Sequence, residues 1–120
     1  MPNSMSDIAC MTAEELKLRF NRDERLLLLD VREPVERAFC AIPMPKTAQD
    51  LHVPMREIPT RLEEIKAAKG EMPLVVYCHL GVRSRQAAGW LAQQGLSGLA
   101  NLEGGIDAWS VDVDADVPRY

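Results

Sequence analysis

The hydrophobic pattern of the chain alternates short, continuous apolar runs with longer stretches of helical spacing. The two strongest runs cover residues 26–29 and 74–77, and they end at Asp30 and Cys78 respectively. Short runs that are apolar at every position are typical of strands buried on both faces of a parallel sheet. These segments therefore predict the central strands of an α/β domain, with Asp30 and Cys78 at their carboxyl ends.

Three stretches have the spacing of helices that bury one face. The first follows a capping box, Thr-Ala-Glu-Glu at residues 12–15, in which a hydroxyl and a carboxylate can each bond a free backbone N–H. The second covers residues 55–68 and is predicted to end at Gly70. The third covers residues 83–94, and Gly95 is well placed as its left-handed terminator.

Shorter segments complete the predicted architecture. Residues 8–11 and 98–102 each fit a short strand. The prolines between residues 40 and 54 favour two loops with a further short strand between them. Strands that alternate with helices predict an α/β fold, a three-layer α/β/α arrangement around a mostly parallel sheet of about five strands. We expect residues 1–120 to form a single domain in which residues 1–7 are a loose N-terminal arm.

Composition and charge limit the functions that the chain can have. It is 47% hydrophobic and 27% charged, with a net charge of −4, and its basic residues are scattered. This pattern gives no electrostatic footprint for nucleic acid, so no direct nucleic-acid partner is expected. The sequence has no signal-peptide pattern and no apolar run of membrane-spanning length. We therefore expect a cytoplasmic protein without a membrane partner, in the reducing environment where a free thiol survives.

Cys78 is the strongest candidate for chemistry. It is one of three cysteines, with Cys10 and Cys40, and their number and spacing fit neither a disulfide framework nor a zinc site. A loop and a helix start follow Cys78, so backbone N–H groups and Arg83 can surround its sulfur with positive charge, while Gly81 permits a tight turn. Such a place favours the thiolate, the nucleophilic form of cysteine. The alternative is a small buried apolar residue at a strand end, but the polar loop at the carboxyl end of a strand favours a reactive thiol.

Three segments, in order along the chain, resemble the rhodanese-like domain family. Residues 78–84 read Cys-His-Leu-Gly-Val-Arg-Ser and look like the family's active-site loop, Cys-x-x-Gly-x-Arg followed by Ser or Thr. Upstream, residues 27–36 read Leu-Leu-Leu-Asp-Val-Arg-Glu-Pro-Val-Glu, and downstream, residues 102–109 read Leu-Glu-Gly-Gly-Ile-Asp-Ala-Trp. The resemblance covers most of the chain and implies a single-domain sulfurtransferase that needs no metal or organic cofactor.

The resemblance also implies roles for individual residues. Cys78 would be the catalytic nucleophile, taking a sulfane sulfur from a donor such as thiosulfate as a persulfide and passing it to cyanide or a thiol. The substrate-binding loop around it would consist of His79, Leu80, Gly81, Val82, Arg83 and Ser84. Asp30 and Arg32, with Glu36, would shape the adjacent sheet edge, and the alternative is a simple Arg32–Glu36 surface pair. By the same analogy, the glycines at residues 104–105 would let the backbone pass behind the loop. The expected partners are a small sulfur-containing anion or a persulfide donor protein, and a thiol acceptor.

Several alternatives remain at the level of sequence. His79 is a possible acid or base, although its position varies within the family. Residues 40–48 depart from the Gly-His-Ile-Pro-Gly-Ala of many members, so Cys40 is either a second thiol that resolves a persulfide or a bystander. The fold also carries phosphatases, arsenate reductases and non-catalytic binding modules. The first two resemble Cys followed by five residues and Arg, whereas four residues separate Cys78 from Arg83, and binding modules usually lack the cysteine. Both features favour sulfur transfer.

Overall fold

A five-stranded, all-parallel sheet forms the centre of the structure, a computed structural model that describes residues 8–120. The predicted N-terminal arm, residues 1–7, lies outside the described residues. The strands are β1 Ile8–Met11, β2 Leu26–Asp30, β3 Ala48–His52, β4 Leu74–Tyr77 and β5 Leu99–Leu102. Their order across the sheet is β1-β5-β4-β2-β3. The predicted α/β class and its parallel sheet are confirmed.

Helices cover both faces of this sheet. They are α1 Ala13–Asn21, α2 Pro34–Phe39, α3 Leu62–Lys69, α4 Val82–Gln93 and α5 Gly105–Asp112. Successive strand side chains point to opposite faces, so Leu28 joins the core beneath α1 and α5 while Leu29 joins the core beneath α3 and α4. Two apolar cores therefore enclose the sheet, which is why β2 and β4 are apolar at nearly every position.

The sheet register brings the ends of β2 and β4 together. Asp30 lies opposite Tyr77 in the ladder, and Val31 N donates to Tyr77 O at 3.1 Å. Cys78 is the next residue after Tyr77, so it shares this edge with the segment that follows Asp30. The carboxyl edge of parallel strands is where α/β proteins bind ligands.

The helix predicted over residues 55–68 is wrong in its first half. Two 3-10 turns, Met55–Glu57 and Pro59–Arg61, precede α3. Proline has no N–H to donate to the preceding turn and its ring clashes with that turn, so Pro59 prevents one continuous helix. The predicted end at Gly70 is confirmed, since this glycine follows α3 with φ +51°.

Helix α2 was not predicted, because six residues without a buried side chain give no apolar period. Its start nevertheless has a local signature. Pro34 occupies the first helical position, and Glu36 Oε1 accepts from Glu33 N at 2.9 Å. Both are features of helix N-termini.

Other predicted helix ends are confirmed. Thr12 Oγ1 accepts from Glu15 N at 3.1 Å, which is one of the two bonds of the predicted capping box. Gly95 follows α4 with φ +93°. Within residues 8–120, none of the helices combines the length and the apolar character that crossing a membrane requires.

Candidate active site

Cys78 lies at the floor of a loop between β4 and α4, with 1% of its surface exposed. Its sulfur accepts hydrogen bonds from two backbone groups, Gly81 N at 3.1 Å and Ser84 N at 3.4 Å. Gly81 precedes α4 with φ +102°, a conformation that favours glycine, and so turns the chain around the sulfur. The free N–H groups at the start of a helix thus point at Cys78 Sγ, as the sequence predicts.

A buried side-chain network joins this loop to β5. Ser84 Oγ lies 3.3 Å from Cys78 Sγ and donates to Asn101 Oδ1 at 2.5 Å. Asn101 Nδ2 in turn donates to Gly81 O at 3.2 Å, which fixes the orientation of its amide. Sequence reasoning missed Asn101, although one amide side chain inside the otherwise apolar Leu99–Leu102 was a usable signal. The network holds Ser84 against the sulfur from behind.

Gly105 lies directly behind the loop. Ile106 N donates to Cys78 O at 2.9 Å and Asp107 N donates to His79 O at 3.1 Å, so the start of α5 holds the loop backbone. A Cβ at Gly105 would stand 2.6 Å from the carbonyl carbon of His79. The predicted close passage of the chain behind the loop after Cys78 is seen at Gly105.

Arg83 and Glu36 form a two-pronged ion pair beside the loop. Arg83 Nη1 and Nη2 donate to the two carboxylate oxygens of Glu36 at 2.6 and 2.8 Å. The alternative of an Arg32–Glu36 surface pair is wrong, because Arg32 reaches only the backbone O of Glu36, at 3.4 Å. The Arg83 hydrogen bonds lower the pKa of Glu36 to about 2, against the opposing effect of burial.

Arg32 and Asp30 form a second ion pair, with both side chains fully buried. Arg32 Nε and Nη2 donate to Asp30 Oδ1 and Oδ2 at 2.9 and 2.8 Å, and Nη2 also donates to Cys40 O at 2.7 Å. Burial alone would lower the pKa of Arg32, but hydrogen bonds to Asp30 and Tyr120 outweigh it and raise that pKa above its usual range. The two predicted supporting residues thus form one buried, hydrogen-bonded unit at the sheet edge.

Tyr120 links the two ion pairs. Its hydroxyl accepts from Arg32 Nη1 at 3.0 Å and donates to Glu36 Oε2 at 2.8 Å. Its ring stacks on the His79 ring with centroids 3.9 Å apart. Sequence reasoning missed Tyr120, because nothing in the local sequence indicates that residues so far apart along the chain meet. Asp30 and Arg32 therefore reach Arg83 through Tyr120 and Glu36.

The other candidate residues have distinct places. His79 Nε2 is buried and has no hydrogen-bond partner among the described residues. Leu80 and Val82 point largely into solvent at the rim. Cys40 Sγ faces Pro118 O at 3.6 Å and Arg32 Nη1 at 3.8 Å, so its contacts join it to the supporting unit. Cys10 is exposed on the edge strand β1.

Replacing Glu36 by Gln is expected to reduce the free energy of unfolding by about 1–2 kcal/mol at pH 7, after allowing for solvent screening. The pKa of Glu36 is lower in the folded chain, about 2, than its ordinary value of 4.5. Its ionised form therefore stabilises the fold fully above pH 4.5, and this contribution is lost as the pH falls toward 2. Urea unfolding of wild type and Glu36→Gln across this range should show a difference in the free energy of unfolding that shrinks as the pH falls. A difference of equal size at pH 3 and pH 7 would assign the effect to packing instead.

Comparisons with known proteins show the family to which this chain belongs. A family model described as the rhodanese-like domain matches residues 12–112. The chain belongs to the rhodanese-like domain family. This confirms the resemblance inferred from the three sequence segments.

Two curated relatives, both named as sulfurtransferases, match this chain along most of their own length. The chain is 41% identical over 98 residues to a sulfurtransferase of Allochromatium vinosum, an alignment that covers 82% of this chain and 84% of that protein. It is 35% identical over 103 residues to a putative sulfurtransferase of Bacillus subtilis (strain 168), covering 86% and 91% of the two chains. These relatives support a sulfurtransferase in general.

A solved structure agrees at the level of the fold. The rhodanese-like domain protein of Staphylococcus aureus superposes with a TM-score of 0.73 at 27% identity, over 94% of this chain and 99% of that one. The five-stranded parallel sheet with helices on both faces is thus a rhodanese fold.

Proposed function

We propose that this rhodanese-like chain transfers a sulfane sulfur from a donor such as thiosulfate to cyanide or a thiol, through a persulfide on Cys78. The observation that carries the proposal is the pair of backbone N–H groups, Gly81 and Ser84, that point at Cys78 Sγ. They stabilise negative charge on sulfur without being charged themselves, which suits both a thiolate and a bound persulfide.

The proposed reaction has two half-reactions. In the first, the Cys78 thiolate attacks the outer sulfur of thiosulfate; a new S–S bond forms, the S–S bond of thiosulfate breaks, and sulfite leaves with the electron pair. In the second, cyanide or an acceptor thiolate attacks the terminal sulfur of the persulfide, and the Cys78 thiolate leaves with the electrons of that S–S bond. The sulfur is held covalently between the two steps, so ping-pong kinetics are expected.

The remaining site residues have supporting roles in this proposal. The loop residues Leu80 to Arg83 surround the terminal sulfur, and Arg83 is the cation closest to Cys78 along the loop. His79 is held by stacking on Tyr120 rather than by a hydrogen bond, which fits a packing role better than a proton transfer. Asp30 and Arg32 hold the sheet edge. No step uses a metal or organic cofactor, and a reducing compartment such as the cytoplasm would keep the thiol free.

The size of the loop favours sulfur transfer over phosphoryl or arsenate chemistry. Four residues separate Cys78 from Arg83, one fewer than in the phosphatase pattern. A shorter loop leaves less room for a tetrahedral oxyanion, and the N–H groups converge on the cysteine sulfur itself. Partners are proposed accordingly: a small sulfur-containing anion or a persulfide donor protein, and a thiol acceptor.

Turnover by cysteine variants tests the proposal. Replacing Cys78 by Ser is expected to abolish sulfur transfer from thiosulfate to cyanide, because a hydroxyl cannot form the persulfide. Cys40→Ser and Cys10→Ser are matched controls and should keep turnover within about threefold of wild type, since neither sulfur forms the covalent bond. Thiocyanate formation, measured over both substrate concentrations, should give the parallel-line pattern of a ping-pong reaction. Turnover by Cys78→Ser would overturn the mechanism.

A further inference from the structure

The one cation of the active-site loop is already occupied. Both terminal nitrogens of Arg83 donate to Glu36, and the same carboxylate accepts from Tyr120 Oη at 2.8 Å and from Glu33 N at 2.9 Å. Four donors fix the Glu36 carboxylate, whose side chain is only 14% exposed. An anionic substrate that used Arg83 would have to share or displace this carboxylate.

Glu36 also brings a negative charge next to Arg83 of the loop. The Arg83 hydrogen bonds keep the pKa of Glu36 at about 2, so the carboxylate is ionised throughout the working range of an enzyme. The Arg83–Glu36 pair is neutral as a unit. Electrostatic attraction scales with the charge of the ligand, so an inorganic dianion loses more from this neutralisation than a singly charged molecule does.

Exposed apolar side chains lie on the loop and on the neighbouring helix α2, which is an independent observation. Among the described residues, most of the exposed large apolar side chains belong to α2, to the loop, or to the residue stacked on it. They are Val35, Phe39, Leu80, Val82 and Tyr120. The rings of Phe39 and Tyr120 are in contact, with centroids 5.7 Å apart, which connects α2 to the loop. Exposed apolar side chains beside the loop suit a ligand with an apolar body.

We propose that Glu36 is a specificity-determining residue that withholds Arg83 from inorganic dianions, so that the preferred sulfur donor is a singly charged organic persulfide or organic thiosulfonate with an apolar body. This inference rests on the proposed sulfur transfer and names its donor class. The chemistry is the same at Cys78. The thiolate attacks the outer sulfur of a thiosulfonate, a new S–S bond forms, the sulfur–sulfur bond of the donor breaks, and the organic sulfinate leaves with the electron pair.

The test compares two donors on wild type and on Glu36→Gln, with cyanide as acceptor. Removing the carboxylate charge frees Arg83 and should raise kcat/KM for thiosulfate about tenfold, mainly through a lower KM. For benzenethiosulfonate, which carries half the charge, the gain should be no more than about threefold. The test compares the ratio of kcat/KM for the two donors between the variant and wild type. Absolute values are not compared between donors, because their leaving groups differ in intrinsic reactivity.

Two further variants isolate the charge at this position. Glu36→Asp keeps a carboxylate, so its kcat/KM for thiosulfate should be no higher than that of wild type. Glu64→Gln removes an equal charge on α3, where Glu64 pairs with Arg61, and should leave the donor ratio unchanged. If both donors load Cys78 but Glu36→Gln does not shift their ratio, the inference is wrong and the sulfur transfer stands. If neither donor loads Cys78, the proposed function fails, and the inference with it.

A measurement on wild type alone does not depend on how the variants fold. Sulfate is a dianion that carries no transferable sulfur. It should inhibit benzenethiosulfonate turnover only weakly, with an inhibition constant on the order of tens of millimolar. Inhibition below about 1 mM would mean that Arg83 is available to dianions and would overturn the inference.

Discussion

Gly105→Ala is expected to reduce the free energy of unfolding by about 2–4 kcal/mol and to lower sulfur transfer sharply. Gly105 has φ +59°, and a Cβ there would collide with the carbonyl groups of Cys78 and His79, which are backbone atoms without a flexible side chain to move away. The start of α5 must retreat, and with it the N–H groups that hold the loop. Urea unfolding and turnover measure the two effects.

Gly70→Ala is the matched control. Gly70 also has a positive φ, +51°, but a Cβ there would meet nothing within 4 Å. This variant should lose only the backbone strain of φ +51° and ψ −125°, about 1–3 kcal/mol, with turnover unchanged. Equal losses in the two variants would mean that the close approach of Gly105 to the loop contributes nothing.

Arg32→Met is expected to reduce the free energy of unfolding by about 3–5 kcal/mol, because it leaves the fully buried Asp30 carboxylate without its main counter-charge. Cys40 O and the Tyr120 hydroxyl would lose their donor in the same variant. Thermal and urea unfolding curves of wild type and Arg32→Met measure this difference in the free energy of unfolding.

Replacing both Asp30 and Arg32 separates the loss of their attraction from the cost of a buried carboxylate without a counter-charge. The double variant Asp30→Leu with Arg32→Met removes the buried carboxylate as well, so it should be more stable than Arg32→Met alone. If the double variant were the less stable of the two, a stranded charge would not be the cause of the loss. The comparison needs only unfolding curves at one pH.

The sequence predicts the sheet and the cysteine loop because their signals are local. Residues 26–29 and 74–77 are apolar throughout because helices cover both faces of β2 and β4. Burial of both faces is therefore visible in the residues of each strand by itself. The conformation of Gly81 likewise follows from one residue in one loop. The end of β4 just before Cys78, and the turn after it, were therefore predictable.

Contacts between distant residues were not predictable in the same way. The sequence offers several carboxylates near Arg83, and nothing local selects Glu36 as its partner. Tyr120 contacts Arg32 across 88 positions of the chain. These contacts depend on how α2 and residues 117–120 lie against the finished sheet edge. They place Arg83 in an ion pair with Glu36, where the sequence alone predicted a free positive charge beside the sulfur.

The intact mass of the protein after incubation with benzenethiosulfonate or thiosulfate, before and after cyanide, tests the persulfide on Cys78 most directly. Wild type is expected to gain the mass of one sulfur atom, located on Cys78 by peptide mapping, and to lose it when cyanide is added. Cys78→Ser should gain nothing. A wild-type protein that forms no adduct with either donor, or an adduct that persists in Cys78→Ser, would contradict the proposed sulfur transfer.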